Sequence, residues 1–116
     1  MDPDWITDLF EPFAPVTVRR MFGGQGIYRD GLMFALATGG DLYLKADAST
    51  RQHFEDAGSR PFVYAAKGRA VEVGYWLLPA EALDDPDRLT LFAGLAWEAA
   101  LRARAGKAAA KKPQRR

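Results

Sequence analysis

Gln25-Gly26-Ile27-Tyr28-Arg29-Asp30-Gly31-Leu32-Met33-Phe34-Ala35-Leu36-Ala37 is the stretch whose reading decides the fold. Two runs that alternate in side-chain character flank Asp30-Gly31, a dipeptide suited to the type I′ turn, where both central residues need positive φ. The turn pairs Arg29 with Leu32 and Tyr28 with Met33, and strict alternation then pairs Ile27 with Phe34. One face carries Ile27, Leu32, Phe34 and Leu36, and the other carries Tyr28, Met33 and Ala35. A second hairpin follows through Thr38-Gly39-Gly40 into Asp41-Leu42-Tyr43-Leu44-Lys45. A two-residue Gly-Gly turn would put Leu42 and Leu44 on the Met33 side, and a three-residue turn with a bulge would put them beside Phe34. The longer turn is the expectation, because Leu42 and Leu44 then enter the core while Tyr43 and Lys45 face outward.

Working outward, Val16 to Phe22 alternates and is rich in β-branched residues, so it reads as a strand that Gly23-Gly24 breaks. Before it, Trp5, Ile6, Leu9, Phe10 and Phe13 recur at helical spacing, which predicts a helix over 4–13 with Asp2 or Asp4 as cap and Pro12 and Pro15 as its end. Asp47 to Gly58 reads as a short helix. Pro61–Ala65 and Ala70–Leu78 read as strands joined by a turn at Lys67-Gly68-Arg69, and Pro79–Leu83 as one helical turn. Asp85 caps a long helix that has Pro86 at its first position. Its buried stripe is Leu89, Phe92, Ala93, Ala96, Trp97 and Ala100, and it is expected to end near Ala105 because Gly106 and Pro113 weaken any extension. The order α-β-β-β-β-α-β-β-α predicts an α+β fold: a two-layer, mostly antiparallel β-sheet with helices packed on it.

The 116 residues suffice for one domain, and 48% hydrophobic with 27% charged residues is ordinary globular composition. Cysteine is absent and His53 is the single histidine, which excludes disulfides, thiolate chemistry and His-pair zinc sites within one chain. No run approaches the roughly 18 apolar residues of a membrane span. The acidic start, Met1-Asp2-Pro3-Asp4, does not resemble a basic signal-peptide opening, so a cytoplasmic location is expected.

Charge is distributed unevenly. Seven basic residues and no acid lie from Arg102 to Arg116, leaving nine basic and fifteen acidic side chains in residues 1–101, a net of −6. An acidic body repels phosphate at long range, and a basic tail without aromatics binds polyanions only weakly and non-specifically. Solvation of the tail is the plainer reading.

Few residues suggest chemistry. His53 has no legible orienting carboxylate or nucleophile and reads as a surface helix residue. Gly23-Gly24-Gln25-Gly26 lacks the Lys-Ser/Thr ending of a phosphate loop, and a strand rather than a helix follows it. Its glycines suit a tight strand connection with positive φ. Arg19 and Arg20 point to opposite faces of their strand, so one of them nears the core and needs a partner. Asp84, Asp85 and Asp87 are explained by helix capping and the helix dipole. Tyr75 and Trp76 also face opposite ways, so one of this aromatic pair is exposed or covered by a partner.

These residues also carry a family resemblance. Arg19-Arg20-Met21-Phe22-Gly23-Gly24-Gln25-Gly26-Ile27-Tyr28, then Asp30-Gly31-Leu32-Met33-Phe34, resembles the opening signature of the N-terminal domain of TfoX/Sxy proteins. The likeness continues through Leu42–Lys45, Phe54, Gly58, Pro61-Phe62 and Tyr64, and ends with Tyr75-Trp76 and Leu78-Pro79 before the long helix. It implies a bacterial, non-enzymatic regulatory module of two-layer α+β fold, linked to natural competence or transcription through a protein partner such as a transcription regulator. It implies no cofactor, no metal and no catalytic residues. Residues 1–105 would form the TfoX N-terminal-like domain, and 106–116 a basic disordered tail in place of the second helical domain of longer members. The expected interaction residues are Arg19, Arg20, Gly23, Gly24, Tyr28, Tyr75 and Trp76.

Two other classes compete with that reading. One is direct, weak nucleic-acid binding through the basic tail. The other is a small ligand carrier or enzyme, which would need a pocket with convergent polar groups. No membrane contact is expected. The second sheet face, with Met33, Ala35, Tyr28, Val63 and Trp76, calls for a cover: either a two-fold homodimer or the final helix crossing it to make a three-layer monomer.

Overall fold

A computed structural model describes residues 1–21, 23–66 and 68–111 of the chain. The expected strand end at Phe22, the turn residue Lys67 and the basic residues Lys112, Arg115 and Arg116 lie outside the described residues. The chain runs α1 (Pro3–Phe10), β1 (Thr17–Met21), β2 (Gly24–Arg29), β3 (Leu32–Thr38), β4 (Asp41–Lys45), α2 (Arg51–Asp56), β5 (Pro61–Ala66), β6 (Arg69–Leu77), a 3₁₀ turn (Ala80–Leu83) and α3 (Pro86–Lys111). This is the expected order. All strand pairs are antiparallel in one six-stranded sheet ordered β1-β2-β3-β4-β6-β5, so β6 inserts between β4 and β5.

The helices start where short acidic side chains satisfy free amides. The Asp4 amide donates to Asp2 Oδ1 at 2.9 Å, with Pro3 following the cap. The Asp87 and Arg88 amides donate to Asp85 Oδ1 at 3.0 and 3.3 Å. α1 ends at Phe10, short of the expected Phe13, because Pro12 has no amide to continue the ladder; Phe13 and Ala14 instead donate back to the Phe10 carbonyl. α3 runs past the expected Ala105 to Lys111. One glycine costs a helix only about 1 kcal/mol relative to alanine, and the Ala/Lys/Arg residues around Gly106 are good helix formers.

The first hairpin has the expected turn, with φ of 49° at Asp30 and 78° at Gly31. Its register departs from strict alternation. Tyr28 pairs with Met33, but Ile27 pairs with Ala35, so Phe34 is an extra residue, a β-bulge. The bulge turns Phe34 and Ala35 to the same side, and both are fully buried. Ala35 is therefore core rather than outer face, and Leu36 is outer rather than core. The second hairpin closes with the two-residue Gly39-Gly40 turn, Thr38 opposite Asp41. The longer turn expected there is not formed. Leu42 and Leu44 still reach the core, because the extra residue sits at Phe34 instead of in the turn.

After the bulge, Ile27, Ala35, Leu44 and Trp76 align across four strands. With Phe34, Leu42 and Leu78 they meet Ile6 and Phe10 of α1, Phe54 of α2, and Leu89, Phe92, Ala93, Ala96 and Ala100 of α3 in a single core. Phe34 packs edge-on to Phe10 at 5.5 Å and to Trp97 at 6.1 Å, and Phe92 packs on Phe54 at 5.2 Å. All three helices thus contribute to one side of the sheet, giving two layers. The three-layer alternative, with α3 across the other face, does not form.

Candidate interaction face of the sheet

The outer face is set by the same register. Arg19, Gly26, Leu36, Tyr43 and Leu77 align across five strands on the side away from the helices. Two residues further along the strands lie Tyr28 paired with Met33, and Lys45 paired with Tyr75. Phe62 packs against Tyr43 in a tilted arrangement with ring centroids 4.9 Å apart. The face is therefore aromatic and sulfur-rich, with two cations laid on it. The Arg19 guanidinium lies over the Tyr28 ring at 5.2 Å, and Lys45 Nζ lies over the Tyr75 ring at 5.1 Å.

Gly26 makes room for this arrangement. A Cβ there would fall 2.9 Å from Met21 Sδ, 2.9 Å from Tyr28 Cε1 and 3.2 Å from Met33 Sδ, so these three side chains close over a bare backbone. Gly24 has a stricter role, since its Cβ would lie 2.2 Å from the Ala37 carbonyl oxygen.

The sheet curls toward this side. Met21 and Gly24 at one end of the sheet share a cavity of about 200 Å³ with Phe62 and Tyr64 of β5, the opposite edge strand. In a flat sheet, β2 and β6 are separated by about 14 Å, three strand spacings. Yet Tyr28 is near enough to add to the rise in the Tyr75 pKa. Burial is the main cause of that rise, and together they push the Tyr75 phenol up to about 12.

Of the residues expected to interact, Arg19, Tyr28 and Tyr75 come together on this face. Arg20 points to the other side, as alternation requires, but is exposed at the margin near Met1 and Gln25 rather than drawn into the core. Gly23, with φ of 65°, and Gly24 form the strand connection beside the face. Trp76 does not belong to it. It is 6% exposed and packs on Phe54 at 6.3 Å, because Leu44, its partner in β4, also faces the core. Val63, 50% exposed, lies near the uncovered edge. His53 is exposed on α2.

Lys45, Leu36 and Phe62 also belong to the face and are missing from the expected set. Lys45 meets Tyr75 only because β6 crosses to pair with β4, a long-range choice that local alternation does not encode. Among the described residues, no three His, Cys, Asp or Glu side chains are grouped to hold a metal ion, and no helix is long and apolar enough to cross a membrane.

DNA transformation protein TfoX1 of Aliivibrio fischeri is 34% identical over 58 residues, a stretch covering 50% of this chain and 28% of that protein. The match therefore spans less than a third of its relative's length. The TfoX N-terminal domain matches residues 8–100, from α1 through most of α3 and including every strand of the curled sheet, and the chain belongs to that family.

Proposed function

We propose that this chain is a regulatory binding module, linked to control of DNA transformation, that acts through a protein partner seated on the outer face of the sheet. The observation that carries the reading is the exposed rim of this curled aromatic face, which no helix among the described residues covers. All helices pack on the opposite side, and Met21 and Tyr64 remain 44% and 55% exposed at the mouth of the curled sheet. Contiguous apolar surface of this kind on a soluble protein is typical of interaction sites. Arg19, held over the Tyr28 ring, adds an arginine–aromatic pair, residue types enriched at protein interfaces. The relative's name supports the link to DNA transformation.

The test uses the organism that carries this chain. Deletion should lower transformation frequency, wild-type chain should restore it, and Met21→Glu or Tyr64→Glu should fail to restore it at equal protein level. Full restoration by both variants would remove the face from the function, and normal transformation after deletion would remove the regulatory link. A second copy is the competing cover, and sedimentation at micromolar concentration distinguishes it by mass.

Direct contact with nucleic acid is a second reading, favoured by exposed Lys107 on the far part of α3 and by the basic residues that follow it in the sequence, Lys111, Lys112, Arg115 and Arg116. Its signature is an affinity that falls steeply with salt and disappears when residues 106–116 are removed.

A further inference from the structure

A second unpartnered surface lies on the helix side, away from the sheet face, between α1 and the Ala80–Leu83 turn. Trp5 and Leu83 stand there 45% and 47% exposed, although both are large and apolar. They jointly line two adjoining cavities of about 300 and 240 Å³. The first is floored by Leu9, Pro12 and Leu89, and the second by Leu42 and Leu78. Trp5 reaches this position because Ile6 and Phe10 take the buried stripe of α1, leaving the Trp5–Leu9 edge to face the turn.

The side-chain charge around the groove is acidic. Asp8 and Asp84 line the first cavity, Asp41 and the amino-terminal Met1 line the second, and among the described residues no lysine or arginine side chain lines either. Arg88, the nearest base in sequence, is engaged by Glu81. Asp2, Asp4, Asp85 and Asp87 are exposed on the flanking elements.

We propose that this groove docks a basic segment of a partner protein, carrying two large apolar anchors that enter the two cavities on either side of the Trp5–Leu83 ridge. The acids select lysine and arginine around the anchors and repel nucleic acid. The cavities select the anchors, each accepting a side chain of leucine or phenylalanine size. The chain's own basic end is a poorer occupant: from Arg102 onward it offers only alanine, glycine, proline and glutamine between its charges, so it matches the rim and leaves the cavities empty. The proposal is independent of the sheet face.

The probe is a fluorescein-labelled helical peptide of about four turns, with leucines on one face and lysines on the other. Two controls replace its leucines with alanine or its lysines with glutamate. The full chain should bind the Leu/Lys peptide at micromolar concentration, more weakly as salt rises, and bind neither control. Leu83→Glu and Asp8→Lys should each weaken binding at least about tenfold. Both residues are surface-facing, so both variants should melt as wild type does. If Leu83→Glu loses its fold, Asp8→Lys alone decides. Tyr64→Glu, on the sheet face, should bind as wild type. Equal binding of the alanine peptide would mean charge alone is read, and equal binding of the glutamate peptide would mean apolar contact alone; either overturns the proposal. So does unchanged binding by Asp8→Lys, or displacement of the probe by a peptide of residues 104–116, which would make a second copy the occupant.

Discussion

Arg102 on α3 grips Asp47, 55 residues earlier, with two hydrogen bonds: Nε to Oδ2 at 2.7 Å and Nη2 to Oδ1 at 3.1 Å. Asp47 also accepts from the Ser49 amide at 3.0 Å, so one carboxylate organises the entry to α2 and ties it to the last helix. The Arg102 hydrogen bonds are the largest influence on Asp47 and hold its carboxyl below the ordinary value of 3.8. A carboxylate with a depressed folded-state pKa stabilises the fold above its unfolded value, and the contribution disappears as pH falls through the lower folded value. Carboxyl carbon NMR should show Asp47 titrating below the ordinary value of 3.8 on acidification. Arg102→Ala should return it toward 3.8 and flatten the acid side of the stability profile. An Asp47 titration unchanged in that variant would show that the pair is not what holds the carboxylate.

Gly24 and Gly26 are two residues apart in β2 and should tolerate alanine very differently. At Gly24 the added carbon meets a backbone carbonyl at 2.2 Å, which cannot move without displacing β3. At Gly26 it meets the ends of Met21, Tyr28 and Met33, which can rotate. Denaturant unfolding should give a loss of about 3 kcal/mol for Gly24→Ala, at the high end for overpacking, and about 1 kcal/mol for Gly26→Ala. Equal losses would contradict the contact at Ala37.

Element order, the Asp30-Gly31 turn and the caps of α1 and α3 were legible in the sequence, because each is written in residues a few positions apart; the two-residue closure at Gly39-Gly40 was not. Nor was the Phe34 bulge. Both hairpin turns fix register only close to the loop, and the bulge that flips Ala35 and Leu36 lies where apolar residues run without a break from Leu32 to Ala37. Two apolar faces hide a slip that a polar outer face would have exposed. The candidate site was half legible for the same reason. Arg19 and Tyr28 are joined by a local hairpin, whereas Lys45 reaches Tyr75 only through the insertion of β6.

The aromatic core gives a graded test of burial. Phe92 and Phe34 are 1% and 0% exposed, whereas Trp97 is only partly buried at the core margin, with the Arg29 guanidinium over its ring at 4.8 Å. The sequence places Trp97 and Phe92 in one stripe with equal weight; the structure ranks them. Phe34→Ala and Phe92→Ala should each cost about 3–5 kcal/mol, and Trp97→Ala about 2 kcal/mol. Urea midpoints measure all three, and a Trp97→Ala loss as large as that of Phe92→Ala would place Trp97 deeper than its exposure indicates.

Tyr75 provides the test closest to the candidate interaction face. Burial against the curled sheet opposes the charged form and pushes its phenol up to about 12, with Tyr28 adding a smaller repulsion. The unfolded chain loses this proton near 10, so between about 10 and 12 the unfolded state binds fewer protons than the folded one. Stability should therefore fall as pH rises through that window and level off above it. Ultraviolet absorbance of tyrosinate in the folded chain should show one late-titrating tyrosine that disappears in Tyr75→Phe. Tyr28→Phe should lower the Tyr75 value slightly, since it removes the lesser cause and leaves burial in place. A ligand or partner that covers the face should push Tyr75 higher still, because covering removes more water from the phenol. If Tyr75 titrates near 10 in the free chain, the face is flatter and wetter than the Tyr28–Tyr75 approach implies, and the curled sheet would lose its main electrostatic support.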